Sequence, residues 1–83
     1  MKINVRYFAS VREAIGSGSE AVTTEAPTLG ALRDELIARG GAHAQALARG
    51  KSVRMALQQV LSEEDAALSD GAEVAFFPPV TGG

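Results

Sequence analysis

The chain contains no cysteine and no tryptophan, a single histidine, and only four aromatic residues among its 83. Without cysteine there is no disulfide, no thiolate metal site and no cysteine nucleophile. One histidine and no clustered carboxylates leave few groups for acid, base or nucleophile work, which disfavours an enzyme acting by itself. Charge of either sign is also scarce in excess: eight Lys and Arg face ten Asp and Glu, a formal charge of −2. Such a balance provides no electrostatic footprint for nucleic acid and none for an anionic membrane. No apolar run approaches the roughly 18–20 residues of a membrane span. Met1 to Arg6 alternates polar and apolar residues and lacks the apolar stretch of a signal peptide. A soluble cytoplasmic protein is the expectation.

What is present suits one small folded domain. Apolar residues make up 46% of the chain, enough to oppose disorder. At this length on the order of 60–65% of the unfolded surface is buried, a modest core. Ile3, Val5 and Tyr7 alternate with Lys2, Asn4 and Arg6, the period-2 pattern of a half-buried strand. Ser10 with Glu13 three residues on matches a capping box and predicts a short helix from about Val11 to Ile15. Gly16 and Gly18 end it, and Glu20 to Thr24 reads as a second strand, hairpin-related to the first. After Pro27, Thr28 is placed to cap a main helix. Its apolar positions are Leu29, Leu32, Leu36 and Ile37, with Arg33, Asp34, Glu35 and Arg39 mostly opposite. Gly40-Gly41 closes that helix, and His43 to Arg49 predicts a further helical turn.

Propensity favours helix over Met55 to Gln59, but Val53, Met55 and Leu57 alternate with Ser52, Arg54 and Ala56. The alternation predicts a strand that turns at Gln58-Gln59 into a second short one at Val60-Leu61. Glu63-Glu64-Asp65 lacks the glycine and spacing of a calcium loop and reads as a solvated turn. Asp70-Gly71 is a turn signal, Glu73 to Phe77 a last strand, and Pro78-Pro79 its stop. The fold class implied is α+β, one principal helix on a mixed sheet. The expected organisation is a domain over residues 1–79 and a flexible tail over residues 80–83.

Two sites follow from the residues. Tyr7, Phe8, Phe76 and Phe77 are all the aromatics, and strands that share them are expected as neighbours. Parity puts Tyr7 and Phe76 in the core and Phe8 and Phe77 on the outer face, where a pair of exposed rings forms a docking patch. The alternative is a bulge that shifts parity and buries both. The second site is the end, Val80-Thr81-Gly82-Gly83. Chance gives a terminal Gly-Gly roughly once in 200 chains. The α-carboxylate of Gly83 is ionised and becomes an acyl donor only after activation, most economically as an acyl-adenylate formed from ATP. Glycines lack the Cβ that would keep the tail out of a narrow channel in a partner. His43 is expected to be an ordinary solvent-facing residue on an Ala-rich helix.

Asp70-Gly71-Ala72-Glu73-Val74-Ala75-Phe76-Phe77-Pro78-Pro79-Val80-Thr81-Gly82-Gly83 resembles the C-terminal signature of the molybdopterin synthase small subunit family. Val5-Arg6-Tyr7-Phe8-Ala9 and Val11-Arg12-Glu13 are similar to its opening strand and helix. Gln58-Gln59 departs from the Asn-Gln turn common there. The resemblance implies a ubiquitin-like β-grasp fold with a five-stranded sheet. It further implies a non-catalytic sulfur-donor subunit with no bound cofactor. An adenylating, ubiquitin-activator-like enzyme would use ATP and magnesium to activate Gly83, and a sulfur donor would convert it to a thiocarboxylate. The tail, Val80 to Gly83, would then enter the large synthase subunit and deliver sulfur to cyclic pyranopterin monophosphate. Carried over by position, Phe8, Leu61 and Phe77 would form the docking patch, and Arg12 would add a polar contact, its alternative being simple solvation at a helix start. Two other readings share the activation chemistry: a protein modifier joined through Gly83 to lysines, and a carrier for thiamine or tRNA thiolation. A passive binding module would not need Gly83.

Overall fold

The computed structural model describes residues 1–79, and the tail expected at Val80, Thr81, Gly82 and Gly83 lies outside them. The chain runs β1 (Lys2–Tyr7), α1 (Ala9–Ile15), β2 (Ser19–Thr23), α2 (Leu29–Ala38), α3 (Gly41–Leu47), β3 (Arg54–Leu57), β4 (Val60–Ser62) and β5 (Glu73–Phe77). The strands form one sheet in the order β2-β1-β5-β3-β4. β1 and β5 pair in parallel at its centre, and the other pairs are antiparallel. This mixed five-stranded sheet packed on α2 is the β-grasp arrangement expected. β2 neighbours β1 as predicted, but eleven residues containing α1 join them (residues 8–18), so the pair is not a tight hairpin.

Period 2 explains the sheet. Ile3, Val5 and Tyr7 on β1 and Val74 and Phe76 on β5 are buried, and they meet Leu29, Leu32 and Leu36 from α2 in a single core. Tyr7 and Phe76 stack with ring centroids 6.1 Å apart. The β3–β4 turn is where the alternation placed it. Gln58 and Gln59 both have positive φ, 52° and 68°, the backbone of a type I′ hairpin. Gln58 offsets that strain by locking the turn to β5: its Oε1 accepts from the Glu73 N–H at 2.6 Å, and its own N–H donates to the Glu73 carbonyl at 2.9 Å.

The start of α2 is satisfied on all sides. Thr28 Oγ1 accepts from the Ala31 N–H at 3.2 Å, as a cap should. The Leu29 and Gly30 N–H groups donate to the Ala66 and Glu64 carbonyls of the β4–β5 loop. That loop passes so close that a Cβ on Gly30 would lie 2.8 Å from Glu64 Oε1 and 3.2 Å from its carbonyl oxygen.

Four local expectations fail, the last at His43. Ser10 does not cap α1: the helix starts directly off β1, with Phe8 at the cap position in extended conformation and no side-chain cap bond. The Phe8 carbonyl accepts from Val11 and Arg12, and the corner is turned by Ala9 at φ 50°. Ser10 therefore falls inside the first turn. Glu64 is not merely solvated, since its carboxylate receives Arg49, which also forks onto Asp34 Oδ1 at 2.8 and 3.0 Å. And Arg33 does not face water.

Arg33 is buried on α2. Its Nε donates to the Leu47 carbonyl at 2.8 Å, and its Nη2 to those of Ala48 and Lys51 at 2.9 and 3.3 Å. These are carbonyls at the end of α3 and just beyond, which have no partner in the helix ladder. Burial lowers the basicity of the guanidinium, as does neighbouring Arg49, while Glu64 and Asp34 oppose them. Arg33→Met fills similar volume but strands those acceptors, so it should destabilise the fold by about 2–4 kcal/mol in urea titration.

His43 is also misjudged by the sequence reading. It belongs to a cluster around Glu20 that ties four elements together. Tyr7 Oη donates to Glu20 Oε2 at 2.8 Å, Arg39 Nη1 donates to Oε1 at 2.7 Å, and His43 Nε2 lies 2.7 Å from Oε2. The His43 ring meets Tyr7 edge-on at 6.0 Å. Burial alone would raise the Glu20 pKa, but the bonds from His43, Arg39 and Tyr7 outweigh it and hold the carboxyl at about 2, below its ordinary 4.5. Burial and the bond to Glu20 push the Tyr7 phenol up. A carboxyl depressed on folding stabilises above its unfolded pKa, and that contribution is lost as pH falls from about 4.5 towards 2. It amounts to on the order of 2–3 kcal/mol. Glu20→Gln should lower stability at neutral pH and flatten the acid limb of the stability–pH curve across that window.

Candidate functional site

The outer face of the sheet, opposite α2, carries the candidate site, and strand register defines it. Opposed residues share a face, so one row runs across β1, β5, β3 and β4 as Arg6, Ala75, Ala56 and Leu61. The next row pairs Phe77 with Arg54. Phe8 joins it one residue beyond β1, because its N–H continues the ladder to the Phe76 carbonyl at 3.1 Å. Parity thus separates Tyr7 and Phe76, which are fully buried, from Phe8 and Phe77, as the alternation predicted. No bulge intervenes. Phe8 is 40% exposed and Leu61 63%, whereas Phe77 is half-buried among its neighbours.

The patch is a shallow dish. Ala75 and Ala56 form a floor of small side chains between the phenylalanines and Leu61; Leu61 stands two strands from Phe77 and three from Phe8, about 10 and 14 Å at normal strand spacing. Val60, exposed at 64%, pairs with Leu57 and so falls on the opposite face from Leu61. An exposed apolar surface rimmed by polar groups is what a protein partner covers. The inner rings back this end of the sheet: Tyr7, hydrogen-bonded to Glu20 and stacked on Phe76, lies on the face opposite the two outer rings.

Arg12 lies apart from this row, on α1. Its guanidinium packs against Gly18 in the α1–β2 connection, 3.2 Å from where a Cβ there would be. The structure does not place it among the three apolar residues. It does add Arg6 and Arg54, which the sequence reading passed over. The Arg6 guanidinium sits 5.2 Å from the Phe8 ring centroid, a cation–π contact that holds the exposed ring. Register arithmetic was the signal for both, since each falls on the same face as Phe77 once strand order is known.

The patch adjoins the last described residues. β5 ends at Phe77 and is followed by Pro78 and Pro79, both half-buried. Proline lacks the N–H needed to continue a ladder, so the chain leaves the sheet within two residues of the outer rings. Gly82 and Gly83, on which the acyl chemistry would rest, lie outside the described residues. Among the described residues no group of three or more His, Asp and Glu side chains converges as a metal site, and no helix is long and apolar enough to cross a membrane.

Comparison with known proteins agrees with this geometry. The ThiS family matches residues 5–83. The molybdopterin synthase sulfur carrier subunit of Escherichia coli (strain K12) is 47% identical over 81 residues, which cover 98% of this chain and 99% of that protein. The subunit of the same name from Haemophilus influenzae is 41% identical over 81 residues, with the same coverage of 98% and 99%. Among solved structures, SAMP1 from Haloferax volcanii matches with a TM-score of 0.78 and 26% identity over the whole of both chains. Ubiquitin-like β-grasp topology, the outer aromatic pair ahead of Pro78-Pro79, and matches spanning nearly the full length converge on one assignment: this chain belongs to the ThiS family.

Proposed function

We infer that the protein is the sulfur carrier subunit of a molybdopterin synthase, working through the carboxylate of Gly83. The observation that carries this reading is the outer-face Phe8/Phe77/Leu61 surface, beside the strand end that precedes the last residues, in a chain 47% identical to a protein of that name. An adenylating enzyme would join a Gly83 carboxylate oxygen to the α-phosphate of ATP, with magnesium, releasing pyrophosphate. Sulfur from a donor protein would then displace AMP at the carbonyl carbon and leave a thiocarboxylate. The patch would dock on the large synthase subunit, with Arg12 of α1 adding a polar contact away from it, while Val80, Thr81, Gly82 and Gly83 enter its active site. Sulfur passes to cyclic pyranopterin monophosphate, and water supplies the oxygen that returns the Gly83 acyl carbon to a carboxylate as the carbon–sulfur bond breaks. The chain is a co-substrate in this scheme, and the catalytic groups belong to the partner.

A second reading has support of its own. The solved structures that this chain resembles include small archaeal modifier protein 1 from Haloferax volcanii, at 25% identity and a TM-score of 0.76. Activation would be the same, but Gly83 would end in isopeptide linkage to lysines.

Intact-mass measurement after incubation with the adenylating enzyme, ATP, magnesium and a sulfur source separates these outcomes. Replacement of one oxygen by sulfur at Gly83 is expected, and its absence overturns the carrier reading. Abundant Gly83 isopeptides in cell lysate would favour the modifier instead. For the patch, Phe77→Asp should weaken binding to the large subunit by roughly 100-fold or more, as loss of a central aromatic anchor does. Its melting temperature should stay near that of the parent, since the ring faces outward.

A further inference from the structure

The outer face is not a plain apolar patch, because two arginines lie inside its perimeter. In the row of Phe77 the next strand offers Arg54, and in the row of Ala75, Ala56 and Leu61 the neighbouring strand offers Arg6. A surface that reaches both Phe8 and Leu61 spans these positions and covers both guanidinium groups. Interfaces of ordinary size bury about 800 Å² per partner, more than enough to do so.

Neither arginine is neutralised by its own chain. Arg33, Arg39 and Arg49 all make ion pairs, but among the described residues Arg6 and Arg54 make none. The acidic groups nearest in sequence to these strands do not serve them. Glu63, one residue past β4, continues the register opposite Arg54 but is exposed and makes no ion pair with it. Glu73 lies two residues from Ala75 on the same face, beside Asn4. Arg6 instead leans on the Phe8 ring, and Arg54 is exposed. A guanidinium that loses water without gaining an acceptor is strongly unfavourable, whereas a bidentate carboxylate restores its hydrogen bonds.

Resting on the carrier reading, we propose that Arg6 and Arg54 set the partner chemistry of this face: it accepts a protein surface with an apolar centre and carboxylates placed opposite these two arginines. The pair confers selectivity between partners, because an apolar surface without those carboxylates leaves two covered cations unpaired. It also steers encounter. The whole chain is formally −2, so attraction to an acidic partner has to be local, acting within the roughly 10 Å screening length at 0.1 M salt.

The test measures association and dissociation rates with the large subunit at low and high salt. Arg54→Gln, which leaves the Arg6–Phe8 contact alone, and the double variant Arg6→Gln/Arg54→Gln are compared with the parent chain. The double variant should associate roughly tenfold more slowly at low ionic strength, with a flatter salt dependence, and Arg54→Gln should fall between the two. Thermal unfolding should be unchanged in both. Parental rates and salt dependence in the double variant overturn the proposal while leaving sulfur transfer intact. A parent chain that acquires sulfur but binds no large subunit overturns it too, as does arginine-dependent binding to a short DNA duplex or to anionic phospholipid vesicles with unchanged large-subunit binding. Failure of the carrier reading appears separately, as absence of sulfur at Gly83.

Discussion

The parallel pairing of β1 with β5 is the constraint on which the rest depends. It brings the two aromatic-bearing strands side by side with their ends at the same edge of the domain. Tyr7 then lies opposite Phe76 inside and Phe8 opposite Phe77 outside. Parallel neighbours cannot be joined by a tight turn, so the intervening chain must cross the sheet. It does so by laying α2 across the inner face and returning through β3 and β4 on the far side of β5. One pairing therefore defines the core, the outer face that carries Phe8 and Phe77, and the point where the chain leaves the sheet.

Polar groups close the seams that apolar burial leaves open. A domain of this size has a small core, and its helices are short, so unpaired backbone groups at their ends are a large share of the total. Arg33 takes up the carbonyls at the end of α3, and the Glu64 and Ala66 carbonyls take up N–H groups at the start of α2. Glu20 gathers Tyr7, Arg39 and His43 at the β2 edge, which the principal helix does not cover. The last cluster reaches the candidate surface as well, since Tyr7 backs the strand end that carries Phe8.

The division between inner and outer charges has the same origin. Arg33 and Arg49 are consumed within the fold by carbonyls and carboxylates, while Arg6 and Arg54, on the outer face, make no ion pair among the described residues. Residues of one type thus serve as structural fasteners on one side of the sheet and stand without ion pairs on the other. Composition cannot separate them, because the distinction lies in what each guanidinium meets.

Local periodicity determined much of this protein. Alternation in β1 and β5 sorts four aromatics into two faces, and Thr28 with Leu29, Leu32 and Leu36 specifies the capped face of α2. Gln58-Gln59 and Asp70-Gly71 mark turns, and Pro78-Pro79 marks where the last strand ends. These features depend on side-chain direction and backbone preference within a few residues, which are written in the chain itself. Tertiary structure decided the rest. Arg33 looks like a surface residue until α3 folds back over it, and His43 looks solvated until Glu20 arrives from another strand. Ser10 has the right spacing for a cap but loses the position to Phe8, whose carbonyl is held in place by β1. Arg6 and Arg54 join Phe8, Phe77 and Leu61 only when strand order is known. In each case the partner is distant in sequence, so the energy that determines the residue's role exists only after the strands have paired and the helices have docked.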